Sequence, residues 1–255
     1  MARCVIIGAA EIKNYSRVKE YLRPDDFYIF CDGGLFHQKA LDVTPNLIVG
    51  DFDSYKELNS TRGTSSHFGK FDDSGGFGGL EASKKFPSAE IIRLPCEKDD
   101  TDLFYAAKEA VRRGFSTFLL VGAIGGRFDH SLCNISVLLY LDQQGKSATI
   151  LDDFSEMQLV GTSNATASVY ATASSPAPAQ HQSSVPALVP PQFSYFSLMC
   201  VSGTAEGVTI KNAKYPLENA TISPEWQYAI SNEVLPGKTA EITVASGKLL
   251  LVKVF

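Results

Sequence analysis

The chain has 255 residues, 44% hydrophobic and 20% charged, with a formal net charge of -5. That length holds one large domain or two ordinary ones without staples, and the acidic balance, with no Lys/Arg cluster, leaves no electrostatic footprint for nucleic acid. No apolar run approaches the ~20 residues that span a bilayer, and five scattered cysteines, without zinc-site spacing or disulfide density, read as reduced thiols of a cytoplasmic protein.

The first residues, Met-Ala-Arg-Cys-Val-Ile-Ile-Gly, read as a buried strand rather than a signal peptide. Continuous apolar runs follow at 27–31, 47–49, 90–94, 117–123 and 148–151, after the first at 4–9. Such runs mark parallel strands buried on both faces. Helical periodicity near 14–22, 34–42, 101–113 and 129–144 separates them, so residues 1–152 are predicted to form an α/β domain with a mostly parallel sheet and flanking helices. A Gly/Ser/Lys-rich stretch at about 59–89 lacks periodicity and reads as a flexible insertion.

After residue 152 the helical signal ends. Short β-like runs at 193–201, 207–212, 220–223, 227–231, 240–245 and 248–255, with turn residues between them, predict an antiparallel β-sandwich over 153–255. An Ala/Ser/Pro-rich stretch at about 163–192 is too poor in large apolar groups to offset its ordering entropy and reads as a second flexible insertion.

Four polar segments each follow a predicted strand: Cys31-Asp32-Gly33-Gly34, Gly50-Asp51-Phe52-Asp53-Ser54, Lys98-Asp99-Asp100-Thr101-Asp102, and Gly125-Gly126-Arg127-Phe128-Asp129-His130. On a parallel sheet all four emerge at one edge, where ligands of such sheets sit. Their carboxylates, one arginine and glycine-rich backbone suit a magnesium–nucleotide site. Asp51 and Asp53, two apart, would share one face of an extended chain, with Phe52 on the other. Each piece also has a plainer reading: turn chemistry for the aspartates, a helix cap within 99–102, tight turns for the glycine pairs, a helix start for His130.

Together with Lys214-Tyr-Pro-Leu-Glu-Asn-Ala-Thr221 and Ile230-Ser-Asn-Glu233, these segments resemble the thiamine diphosphokinase (thiamine pyrophosphokinase) family, in the family's order and across both halves of the chain. The resemblance implies an enzyme that transfers a diphosphate group from ATP to thiamine, giving thiamine diphosphate and AMP. It also implies that residues 1–152 are the nucleotide-binding catalytic domain and 153–255 the thiamine-binding domain, in a homodimer with active sites at the subunit interface. Carried over by motif, Asp51, Asp53 and Asp102 bind Mg²⁺, and Asp99 or Asp100 serves as an outer ligand or base. Asp32, Gly33, Gly34, Arg127, Asp129 and His130 meet the nucleotide. Tyr215, Ser231 and Asn232 meet thiamine, an aromatic face beside the cationic thiazolium being physically sensible. Trp226 falls on no binding motif and reads as packing. Two other classes use the same features: a Mg²⁺-dependent phosphohydrolase, and a non-catalytic nucleotide or thiamine sensor. Tyr215, Ser231 and Asn232 are superfluous for the first, the carboxylates for the second.

Overall fold

A computed structural model describes residues 2–52, 82–97, 99–161, 186–190 and 192–255. The elements in chain order are β1 (Cys4–Ile7), α1 (Tyr15–Tyr21), β2 (Phe27–Cys31), a 3₁₀ helix (Asp32–His37) running into α2 (Gln38–Leu41), β3 (Leu47–Gly50) and β4 (Glu90–Arg93). Then come α3 (Asp102–Arg112), β5 (Thr117–Val121), α4 (Phe128–Gln143), β6 (Ser147–Leu151) and β7 (Ser155–Val160). The remaining strands are β8 (Ala187–Val189), β9 (Tyr195–Cys200), β10 (Ala205–Lys211), β11 (Leu217–Ile222), β12 (Ala240–Thr243) and β13 (Leu249–Val254). The chain divides into two compact units, Met1–Val137 with Leu151–Asp153, and Leu138–Ile150 with Phe154–Phe255.

In the first unit the strand order is β4-β3-β2-β1-β5, every neighbour parallel. The four residues of β1 are completely buried, as a central strand covered on both faces requires. Each large apolar side chain so withdrawn from water contributes about 1.5–3 kcal/mol. α3 lays a stripe of Leu103, Ala106, Ala107 and Ala110 against β1, β2 and β3, the alanines permitting close approach. The six strand runs read from the sequence in this half all form strands. The helix read from residue 34 instead begins at Asp32 as a 3₁₀ turn. At the opposite end of the sheet, Asp26 receives the Arg3 guanidinium at 2.9 and 2.7 Å and ties β1 to the turn before β2.

The second unit holds two antiparallel sheets, one containing β7-β13-β9 and the other β11-β10-β12-β8. Phe196, Leu198, Leu249 and Leu251 from the first meet Val189, Val208, Ile210 and Ile242 from the second in one core. The β-sandwich expected from the sequence is therefore present. Strands alternate as a half-buried sheet must: Phe196 and Leu198 are buried while Tyr195 and Met199 face out.

Three details differ from the sequence reading. First, β7 is an additional strand at the start of the second predicted region, ahead of its first β-like run, paired with β13 over its whole length. Second, the Ala/Ser/Pro-rich stretch reaches less far than its composition implies: Ala187–Val189 form β8 against β12, and Val189 is fully buried. Third, residues 227–231 are not a strand. Ser231 adopts a left-handed φ of 56° and its N–H donates to the Ser197 side chain, so the backbone bonds to β9 are interrupted: Leu198 N–H donates to Ala229 O, and Phe196 and Asn232 pair mutually. An alternating pattern does not survive one residue in that region of backbone space. Trp226, read as packing, is 71% exposed, because it ends a tight turn in which its N–H donates to Ser223 O. All five cysteines are free thiols.

Candidate functional site

Because β1 to β5 run parallel, the segments following them leave the sheet at the same edge. The order of the strands reverses at β1: the chain steps outward through β2, β3 and β4, then returns to β5 on the other side of β1. Crevices at such a reversal receive ligands in open α/β sheets. Here the backbone itself forms a floor between the ends of β1 and β5. Gly8 N–H donates to Val121 O at 2.8 Å and Ala10 N–H to Gly122 O at 2.9 Å, extending the β1–β5 ladder beyond both strands. A Cβ at Gly8 would lie 2.4 Å from Gly122 O and 3.0 Å from Leu103 Cδ1, which brings the first turn of α3 against the end of β1.

The loops from β2, β3 and β5 lock onto this floor. A Cβ at Gly34 would lie 2.2 Å from the Ile7 carbonyl oxygen, so only glycine lets the 3₁₀ helix cross the end of β1. Asp32 is 1% exposed, and its Cβ lies so close to Gly50 that a methyl there would sit 2.5 Å away. Asp32 therefore adjoins the start of the Asp51 turn. Gly33 packs in the same way on Ala9, and Gly125 on Ala10.

Asp51 is partly buried at the end of β3. Phe52 beside it is 1% exposed and has a φ of 63°, so the chain is not extended here and the alternation argument for Asp51 and Asp53 does not apply. Left-handed backbone at a bulky residue is unfavourable by about 1–2 kcal/mol, and burial of the ring offsets that strain. Asp53 lies outside the described residues. In the segment before α3, Thr101 is the N-cap, its hydroxyl accepting from Phe104 N–H at 3.2 Å. Asp102, in the first turn, is thus not needed as the cap, and the helix dipole favours its negative charge. Asp100 pairs with Lys108 Nζ at 2.8 Å, whereas Asp99 is exposed. Arg127 and Asp129 are both exposed and bound to each other; that bond holds the Asp129 carboxyl below its ordinary range and raises the Arg127 guanidinium. His130 is exposed beside them.

Three side chains outside the sequence motifs also hold this edge together. Ser131 Oγ accepts from Gly125 N–H at 3.1 Å and lies 3.2 Å from Gly125 O and 3.1 Å from Arg127 O, stitching the glycine–arginine turn to α4. Asn134 donates to Ala123 O at 2.6 Å. His37, 6% exposed, donates from Nε2 to Ala10 O at 2.9 Å, which leaves Nδ1 to accept from Tyr15 OH at 2.8 Å. Burial pushes the imidazole below its ordinary range, the Ala10 bond opposing this in part. Only the spacing of Ser131 and Asn134, three apart on one helix face, was a usable signal.

Among the described residues no group of three or more His, Cys, Asp or Glu side chains converges. The donor chemistry nevertheless fits a hard divalent cation. Asp51 and Asp102 are carboxylates at one sheet edge, and Mg²⁺ commonly takes one or two of these and completes its shell with water and phosphate oxygens.

In the second unit, Tyr215 is 58% exposed, with Lys214 Nζ 5.6 Å from its ring centroid and bound to Glu233 at 2.7 Å. Asn232, by contrast, is 2% exposed and its amide faces the chain. Oδ1 accepts from Tyr215 N–H at 3.0 Å and Glu233 N–H at 2.9 Å, and Nδ2 donates to Tyr215 O at 2.8 Å. The side chain imitates a neighbouring strand for one residue. Ser231 is exposed in its left-handed turn.

Residues 18–150 match a family model described as thiamin pyrophosphokinase, catalytic domain, and residues 187–249 match one described as thiamin pyrophosphokinase, vitamin B1 binding domain. No curated protein matches the chain. Among solved structures, thiamine pyrophosphokinase from Bacillus subtilis is similar over 100% of this chain and 99% of its own, with a TM-score of 0.71 at 20% identity. That from Geobacillus thermodenitrificans is similar over 100% and 98%, with a TM-score of 0.69 at 21% identity. The enzyme from Candida albicans is similar over 100% and 89%, with a TM-score of 0.64 at 13% identity.

Proposed function

The chain belongs to the thiamin pyrophosphokinase family, and from that premise we propose that it transfers the terminal diphosphate of ATP to the hydroxyl of thiamine, releasing thiamine diphosphate and AMP. The observation that carries this reading is that the segments bearing Asp32, Asp51, Asp102 and Arg127 all follow parallel strands, at one edge of the sheet and around a reversal of strand order.

Asp51, Asp53 and Asp102 would hold Mg²⁺, which would neutralise charge on the transferring phosphates. Asp32, Gly33 and Gly34 line the nucleotide's approach, with Asp129 and His130 beside it. Arg127 is held by Asp129 at full exposure, where ion pairs are worth little, so it exchanges that partner readily for a phosphate oxygen. Thiamine's oxygen attacks the β-phosphorus in line, and alignment rather than a strong base governs the rate when the transition state is loose. Asp99 or Asp100 takes the proton; Asp99 has no ammonium against it among the described residues, whereas Asp100 has Lys108. Tyr215 offers its ring to thiamine, with Ser231 beside it, and Asn232 fixes the backbone that carries the ring.

The family resemblance also supports a homodimer with active sites between subunits, working in the cytoplasm. No helix among the described residues is long and apolar enough to cross a membrane. The test is a product assay with ATP, Mg²⁺ and thiamine. AMP with thiamine diphosphate is the expected result; ADP with thiamine monophosphate, or phosphate alone, would overturn the proposal in favour of an ordinary kinase or a hydrolase.

A further inference from the structure

We infer that Arg93 binds the polyphosphate of the nucleotide, a role that rests on reading the chain as an ATP-using transferase. Arg93 is the last residue of β4, the outermost strand of the parallel sheet, and it lies directly opposite Gly50 in the β3–β4 register. The ladder continues past it, with Leu94 N–H donating to Gly50 O at 2.9 Å. Its backbone is thus fixed one strand spacing, about 4.8 Å, from the residue that precedes Asp51. The side chain is exposed, yet its guanidinium carbon lies 5.7 Å from the centroid of the Phe52 ring. That ring is buried and set by its left-handed backbone, so it is a fixed platform that directs the cation to the Asp51 turn.

No carboxylate among the described residues pairs with Arg93. Arg3, Arg112, Arg113 and Arg127 each have one, in Asp26, Glu109, Glu90 and Asp129. A guanidinium carried on an aromatic face beside the metal-binding turn, with its planar fork of donors uncommitted, matches the oxyanions of a phosphate chain bidentately. The strand order β1, β2, β3, β4 puts Arg93 on the far side of the Asp51 turn from the β1 reversal, where it would meet the phosphates of a nucleotide laid from that reversal toward Asp51. The sequence reading passed over it because a single arginine at the end of an apolar run has no motif.

The test compares Arg93→Met and Arg93→Lys with the unaltered chain, measuring equilibrium binding of a non-hydrolysable ATP analogue and of adenosine, with the thermal midpoint on the same preparations. Methionine keeps the aliphatic cover over Phe52 and removes the charge; lysine keeps the charge and loses the fork. We expect Arg93→Met to weaken the analogue about tenfold or more, adenosine to bind as before, and Arg93→Lys to recover part of the loss. The thiamine KM should stay unchanged. Equal weakening of analogue and adenosine, or no weakening of either at an unchanged midpoint, overturns the role. An unaltered chain that forms no thiamine diphosphate from ATP overturns the parent reading instead, and the two failures are told apart on the same preparations.

Discussion

The carboxyl edge of the first unit and the Tyr215 region of the second position their functional groups by opposite means. At the edge, the segments after β1, β2 and β5 are held by main-chain contacts closer than any Cβ permits, at Gly34 on Ile7 O and Gly8 on Gly122 O. In the second unit a single side chain, the Asn232 amide, does the work of a strand for Tyr215. The first arrangement is rigid where backbone meets backbone, and at Gly8 and Gly34 it tolerates no added methyl group. The second is adjustable, and it fails when one hydrogen-bonding group is removed.

The sharpest break in this comparison comes from Gly34→Ala. A methyl group 2.2 Å from Ile7 O forces the 3₁₀ helix off a central strand that cannot shift, and stability should fall by about 3 kcal/mol or more, with activity lost. Gly126→Ala is the control, since nothing lies within 4 Å of a Cβ there; its thermal midpoint should match the parent, a change within about 0.5 kcal/mol. Comparable losses in the two variants would show that general glycine flexibility, rather than close approach, holds the edge.

Next in size is Asp51→Asn, which removes charge while leaving volume nearly unchanged. Turnover should drop roughly a hundredfold, about 3 kcal/mol of transition-state stabilisation, without loss of thermal stability. Near-normal turnover at saturating Mg²⁺ would remove Asp51 from the metal site.

The second unit is tested by Asn232→Ala and Tyr215→Ala together. Leaving the Tyr215 N–H and C=O without the amide should lower stability by about 1–3 kcal/mol and raise the thiamine KM well above any change in the ATP KM. Tyr215→Ala should raise the thiamine KM alone, by the equivalent of about 0.5–2 kcal/mol, and Tyr215→Trp should preserve it. If Asn232→Ala leaves the thiamine KM unaltered, the amide is not what positions the ring.

The smallest effect concerns His37, the titratable one of the three side-chain clamps at the first edge. Burial lowers its pKa from the ordinary value of 6.5, so the folded state resists protonation more than the unfolded chain does. Its contribution to stability is therefore complete above that ordinary value and is lost as pH falls through it toward the lowered folded value. Between roughly pH 7.5 and pH 5 the parent's thermal midpoint should fall more than that of His37→Gln. Parallel curves would mean that His37 does not titrate against folding.

Much of the first unit was legible in the amino-acid order. A strand buried on both faces must be continuously apolar, so the runs 4–9, 27–31 and 117–123 announced themselves, and the polar segments following them were conspicuous. The second unit was harder to read. β8 lies at the end of a stretch whose composition argues against order, and only its pairing with β12 and the burial of Val189 make it a strand. The alternating residues 227–231 look like a strand, but Ser231 turns left-handed and ends the ladder.

What the sequence determined alone was therefore local and compositional: which segments are apolar enough to enter a sheet, where the carboxylates cluster, and which family the six motifs resemble. What only the tertiary structure decided was which groups face one another. Phe52 left the extended backbone because its ring is buried, Asn232 turned inward to the Tyr215 backbone, and Arg93 came opposite Gly50 through the β3–β4 register. These are contacts between residues distant in the chain, and periodicity carries no information about them, because the free energy that selects them arises only when the strands pair and the core closes.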